Sequence, residues 1–419
     1  MSSIRRSPAG LHHPTDGAQV ASANVGDGSP EPPGGTASPH RGTTTAIYAA
    51  RALRDFGDGF VAILLPVYLT ALGLGPLEVG VVATAALLGS ALTTLGIGLL
   101  GHRADQRHLL VAAAGLMVLT AAALALSSIY WVVLLVAAIG TMLSQAVTDA
   151  ERTRMFARYS LIGALAAAIG AFASASPALL ADFGIERLAA LRSMFLLYAV
   201  LGIAGGALYM GLPKGASSPA DRSAPPLGPS RGIVYRLAAL FSVDAFAGGF
   251  AVQSLLALWL FQKFGLSLTA AGLFFFWSGV LAAFSFPVAA WLSRHIGLVN
   301  TMVFTHIPSS VCLILAAIAP RLDMALALLL VRAALSQMDV PTRSSYVMAV
   351  VTPPERPAAA SITGVPRSLA AAVSPALAGA LFAAGLQAWP FVICGALKIL
   401  YDFALLWMFR HIRPPEEQR

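Results

Sequence analysis

From Ala46 to Arg410 the chain is a succession of apolar runs joined by short polar segments. A helix rises 1.5 Å per residue, so roughly 20 such residues cross a ~30 Å hydrocarbon core. The runs show no period-two alternation, so barrel strands are not what they build. Of 419 residues, 57% are hydrophobic and only 11% charged, where a soluble domain carries roughly 25% charged. There is too little polar material to cover a water-facing surface, and lipid must solvate most of the chain.

The runs read as twelve spans, over 46–72, 78–101, 108–127, 130–149, 156–181, 190–212, 234–262, 269–293, 298–319, 323–350, 358–384 and 388–410. The expected fold class is therefore an all-α integral membrane protein with twelve transmembrane helices in two six-helix halves. Residues 1–43 are rich in Pro, Gly, Ser and Thr and read as a disordered tail. The first half covers 44–212 and the second 234–411. Between them 213–233 is a Pro/Gly/Ser linker without an apolar face, and 412–419 is a short tail. Arg103, Arg107, Arg152, Arg154, Arg158, Lys214, Arg222 and Arg231 all fall on the side of the tail and linker. The opposite side holds Arg187, Arg192, Lys263 and Arg321. By the positive-inside rule both termini are cytoplasmic, in a plasma (inner) membrane. The net charge of +8 follows from that enrichment and does not call for nucleic acid.

The two halves look related. Gly73, Leu74 and Gly80 align with Gly265, Leu266 and Gly272, and Ser176-Pro177-Ala178-Leu179 recurs as Ser374-Pro375-Ala376-Leu377. Parallel six-helix repeats around a midplane site are a transporter plan.

Charges stand inside several oily runs. The stretch 331–351 holds Arg332, Asp339 and Arg343. On a continuous helix these share one face with Ser336 and Tyr346, a stripe suited to protein or water and not to lipid. Asp339 can pair with Arg343 four residues on, and Pro341 should loosen this turn. Asp58 has Arg54 one turn earlier. Asp244 has no basic residue within four positions, which suits it to carry a proton. Gln253 lies farther along the same span. His306 can relay protons, and Arg367 follows Pro366 in span eleven. Lys398 and Asp402 are spaced to neutralise each other. Cys312 and Cys394 read as small apolar side chains, and His12-His13 as a solvated pair.

Twelve spans, a long central loop and cytoplasmic termini resemble the major facilitator superfamily. That family marks its 2–3 loop with Gly-x-Leu-Ala-Asp-Arg-x-Gly-Arg-Arg. The loop here reads GHRADQRHLL, in which Gly101, Ala104 and Asp105 match and Arg107 supplies the basic part. WLSRHIG in the 8–9 loop is similar to a second copy through Leu292, Ser293 and Gly297, and Ser374–Gly379 is similar to an exporter Gly-Pro motif. The span-four pattern of proton antiporters is not present. The resemblance implies a cavity lined by spans one, four, seven and ten, gated by Gly101, Asp105 and Arg107. It also places span nine, with His306, at the periphery, where packing on a neighbour's hydroxyl is expected.

The chain carries no P-loop, no His-Glu-x-x-His, no Cys-x-x-Cys and no Gly-x-Ser-x-Gly. The expectation is a non-enzyme that needs no cofactor or metal. It is a secondary transporter moving a small polar or zwitterionic solute by alternating access. Proton-coupled efflux is its concrete form, with Asp244 and Asp339 as titrating groups. The site residues are Asp58, Asp244, Gln253, Arg332, Asp339, Arg343, Arg367 and His306. The partners are the solute, protons and the lipid bilayer, without nucleic acid, and the monomer is expected to suffice. The alternatives are a facilitative uniporter and a non-transporting sensor or scaffold of the same fold.

Overall fold

The computed structural model describes residues 39–100, 106–140, 156–212 and 227–410. Gly101 and Asp105 of the 2–3 loop, nearly all of the N-terminal tail, most of the linker and the C-terminal tail lie outside the described residues. Those described are helical, with no strand. In chain order the helices are α1 (Pro39–Ala71), α2 (Pro76–Leu100), α3 (Gln106–Leu126), α4 (Tyr130–Gly140), α5 (Phe156–Ala173), α6 (Ser176–Asp182), α7 (Arg187–Met210), α8 (Arg231–Gly249) and α9 (Gln253–Phe264). They continue with α10 (Leu268–Ile296), α11 (Leu298–Ile318), α12 (Leu322–Ser336), α13 (Asp339–Val350), α14 (Arg356–Ala383) and α15 (Trp389–Phe409). Among them are nine candidate membrane spans by length and apolarity, plus shorter apolar helices at Pro76–Leu92 and Tyr130–Ile139. α1 is set apart by the charges Arg51, Arg54, Asp55 and Asp58 in its sequence. Trp131, Phe183 and Trp407 are 72%, 85% and 75% exposed, large apolar surfaces that only a lipid solvent explains.

Three spans are interrupted. α5 stops at Ala173, the residue whose carbonyl the ring of Pro177 would meet four positions on. α12 stops at Ser336, one residue short of the carbonyl that Pro341 displaces. α8 ends on Gly248-Gly249, residues with little helix propensity, and α9 starts four residues later. The continuous stripe expected from Arg332 to Tyr346 is therefore broken at Gln337-Met338, and its two ends turn to different surroundings.

The halves meet through small residues. A Cβ on Gly80 of α2 would overlap the Pro375 carbonyl oxygen and stand 2.9 Å from the Gly379 Cα of α14. A Cβ on Gly272 of α10 would stand 3.1 Å from the carbonyl oxygens of Ala171 and Phe172 of α5. These contacts are made by glycines that correspond under the internal repeat, since Gly80 aligns with Gly272. Gly73 and Gly265, also aligned, both hold positive φ, +82° and +60°, where the first span of each half turns. Across the α2–α14 seam the backbone N–H of Ala376 donates to Thr84 Oγ1 at 2.9 Å. Within the second half, Ser374 Oγ donates to the Phe246 carbonyl at 2.5 Å. Aromatic side chains fill the core: Tyr68 lies on Phe195 at 5.0 Å, and Trp259 on Phe391 at 5.0 Å.

Gly80→Val should part α2 from α14 and destabilise the protein by about 1–3 kcal/mol, the usual cost of overpacking. Gly96→Ala, where nothing stands within 4 Å of the added Cβ, should leave thermal unfolding unchanged or raise it slightly. Equal melting of the two variants would refute the seam.

Candidate functional site

A carboxylate among oily helices is tolerated only with a cation beside it. Asp244 of α8, 3% exposed, has two, both from distant segments. Lys398 Nζ of α15 donates to its Oδ1 at 2.7 Å, and Arg343 Nη2 of α13 lies 3.1 Å from its Oδ2. Arg343 also pairs with Asp339 one turn back and places its guanidinium over the Phe241 ring at 5.2 Å. His306 of α11 joins the cluster. Its Nδ1 lies 3.0 Å from both oxygens of Asp402, and its Nε2 lies 3.2 Å from Lys398 Nζ. An ammonium can only donate, so Nε2 accepts and Nδ1–H donates to Asp402. Asp339, Arg343, His306 and Asp402 are all buried. The Tyr401 ring stands edge-on to His306 at 6.1 Å, and its hydroxyl is buried without a hydrogen-bond partner among the described residues.

Three expectations change here. Asp244 is not the isolated acid that its own helix suggests, because its cations come from α13 and α15. Lys398 and Asp402 do not close on each other. His306 stands between them, bonded to both, so it meets a carboxylate and an ammonium where a hydroxyl was expected. Folding brings together Asp244, Asp339, Arg343 and His306, and adds Lys398 and Asp402.

Beside this network lies a cavity of about 460 Å³. Ala164, Ala167, Ala168 and Ala171 of α5 form one wall. Phe275, Ser278 and Gly279 of α10 face it, so the cavity sits on a seam between the halves. Gln253 at the start of α9, Arg332 and Ser336 of α12, Gln337 at the break, His306 and Lys398 also line it. Both interruptions of the second half thus open on this space, as irregular backbone at membrane depth must. Arg332 and Asp339 part company here: the first borders the cavity and the second is turned into the network. Arg367 lies exposed on α14.

The first half has its own pocket, of about 290 Å³, lined by Arg54, Asp58, Tyr198 and Tyr209. Arg54 and Asp58 form the expected pair at 3.5 Å, and the Tyr198 hydroxyl donates to Asp58 Oδ1 at 2.5 Å. Arg51 pairs with buried Asp55 at 2.5 Å. Of the gating loop, Arg107 is described, and it donates to the Met210 carbonyl at the end of α7. Glu355 escaped the sequence reading. It accepts from the Gly228 and Ser230 N–H groups before α8 and from Thr352 Oγ1 at 2.8 Å, tying the segment before α14 to the start of α8. The acid between Pro354 and Arg356 in TPPERP was its only signal.

The sequence matches the family described as Major Facilitator Superfamily over residues 47–242 and 237–419. A search of curated protein sequences returns no match. Among solved structures, a human organic anion transporter (TETRAN) is 18% identical with a TM-score of 0.61, covering 88% of this chain and 100% of its own. The nucleoside transporter NupG is 13% identical with a TM-score of 0.67, covering 88% and 99%. A bacterial homologue of the iron transporter ferroportin, in an inward-facing state, is 17% identical with a TM-score of 0.67, covering 88% and 99%. At these identities what is shared is the fold.

Asp244→Asn should lower stability by about 3–5 kcal/mol, since Lys398 and Arg343 are left buried without their shared anion. Adding Lys398→Met should recover part of the loss, a non-additivity that unfolding of the double variant reads directly. Asp323→Asn, which breaks a pair with Arg321 whose side chains are 64% and 75% exposed, should cost no more than about 1 kcal/mol.

Proposed function

The chain belongs to the Major Facilitator Superfamily and is a multi-pass membrane transporter, and from that premise we propose that it moves a small polar solute by alternating access with a proton as coupling ion. The observation that carries this reading is the cavity on the α5–α10 seam, bordered by two interrupted spans and by a buried charge network. A solute there touches both halves, so rocking one against the other alters its exposure. The proposed path is twelve crossings in two sets of six, α1 and the shorter α2 and α4 completing the count. Both termini are then cytoplasmic, in the plasma membrane.

The proton reading rests on charge. Asp244, Asp339 and Asp402 contribute three negative charges within the network, and Arg343 and Lys398 two positive ones. With a neutral His306 the group carries one uncompensated negative charge in a low-dielectric surrounding, and one bound proton cancels it. The charged and titratable groups around it are Arg332 on the cavity wall, Arg367 on α14, Tyr401 and Cys394. Lys398 and His306 border both the network and the cavity, so a bound solute and a bound proton can each bias the same helices, α8, α11, α13 and α15.

Internal pH in proteoliposomes under an imposed proton gradient tests this. Pools of polar metabolites should produce a solute-dependent pH change in the wild type that is absent in Asp244→Asn and in His306→Gln. The sign of the change gives the direction, inward movement of protons during solute exit being the efflux form. A pH change kept by both variants removes the network as the proton path. Solute equilibration with no pH change in the wild type makes the protein a facilitative uniporter or assigns it another coupling ion.

A further inference from the structure

The seam cavity carries positive charge that the described protein does not fully answer. Its lining includes Arg332, Lys398 and His306, and neither Asp nor Glu. Lys398 is matched by Asp244 and His306 by Asp402. Arg332 has no carboxylate within ion-pair reach among the described residues. Asp339, seven residues on, would be its natural counter-ion along a straight helix. The break at Gln337-Met338 instead hands Asp339 to Arg343. A guanidinium at this depth without an anion is costly to keep. The pocket of the first half shows the contrast, because there Arg54 faces its own Asp58.

Other donors border the same space. Ser310, 2% exposed, has a buried hydroxyl with no hydrogen-bond partner among the described residues, and it lines the cavity. α9 begins at the cavity with Gln253, and no side chain caps its first-turn N–H groups. A guanidinium, an unanswered hydroxyl and a helix start are all donors, the complement of a planar anion. One unmatched cation suits a single negative charge. Leu256, Phe275, Phe286 and Leu313 supply apolar wall for the rest of the molecule, in a volume within the range of small-molecule sites.

The geometry points to a small organic acid as the solute, its carboxylate held by Arg332 with the Ser310 hydroxyl and its apolar body against Phe275 and Phe286. This rests on the transporter reading above and narrows its substrate class. It also gives Arg332 a role distinct from that of the Asp244 network: the first binds the solute's charge, and the second carries the proton.

Thermal unfolding of the purified full-length protein with matched compounds tests it. The compounds are benzoate, benzamide, benzylamine and phenyl phosphate, with hexanoate, hexanamide and hexylamine as the aliphatic set. The expected result is a rise of a few degrees with the carboxylates alone, lost in Arg332→Gln and partly kept in Arg332→Lys. Without ligand, Arg332→Gln should melt at or above the wild type, because an unmatched buried charge has been removed. Any of four outcomes overturns the inference: no carboxylate shift, an equal shift with the amides or amines, a larger shift with phenyl phosphate, or a carboxylate shift that survives Arg332→Gln. A ligand-free Arg332→Gln melting well below the wild type overturns it too, by showing that the residue is structural. The readout is binding, so it fails separately from transport: neutral solutes exchanging in proteoliposomes would leave the transporter reading intact and sink this one.

Discussion

The pairing of Asp244 with two cations sets the terms for the whole second half. Hydrocarbon offers a carboxylate nothing, so α8 must lie where α13 and α15 bring Arg343 and Lys398 within reach of its oxygens. Lys398 in turn fixes His306, and His306 fixes Asp402, so α11 joins the same register. The apolar cluster of Val234, Phe241, Tyr346, Tyr401 and Phe409 packs among the same helices. Buried ion pairs seldom add net stability over a well-packed apolar core. A chain that needed only a rigid bundle could have used leucine at these positions. What the network adds is a strict relative placement of four helices that depends on every charge being present, a property suited to switching.

The seam between the halves is built on the opposite principle. Each ion pair given above joins residues of one half. Contacts across the seam include Gly80 on Gly379, Gly272 on the α5 backbone, and a hydrogen bond from Ala376 to Thr84. Close backbone approach gives dispersion energy that survives a change of crossing angle. Halves that are locked inside and loosely indexed against each other can rock as bodies.

How much of this the sequence discloses depends on how far the interacting residues stand apart in the chain. The apolar runs, the Arg54–Asp58 and Asp339–Arg343 pairs and the glycines at the turns are local, set by helix period and by φ, and they are legible from residue spacing alone. The repeat of Gly80 and Gly272 is legible as a pattern, although only the fold shows that each is a crossing point of the halves. The reading fails where a partner comes from another helix. Asp244 looks isolated because its cations lie 99 and 154 positions away, and Lys398 looks self-neutralised because the intervening His306 is 92 positions earlier. Pro341 signals a disturbed turn. That the disturbance separates Arg332 from Asp339 follows only from where the helix restarts.

The two halves share their backbone devices and differ in their charges. Gly73 and Gly265 end corresponding spans with the same left-handed turn, and Gly80 and Gly272 sit at corresponding seams. Had the charge pattern been repeated as well, each half would hold a balanced pair like Arg54 with Asp58. The second half instead concentrates three acids, two cations and a histidine in its interior and leaves Arg332 on the cavity wall. Symmetry of the scaffold serves movement, which needs two comparable bodies. A solute with a charged end and an apolar end has no such symmetry, and a site that binds it must break the repeat. The break lies at α12–α13, where Pro341 divides one span into a segment that faces the cavity and a segment that serves the network, and so couples the two through a single turn of backbone.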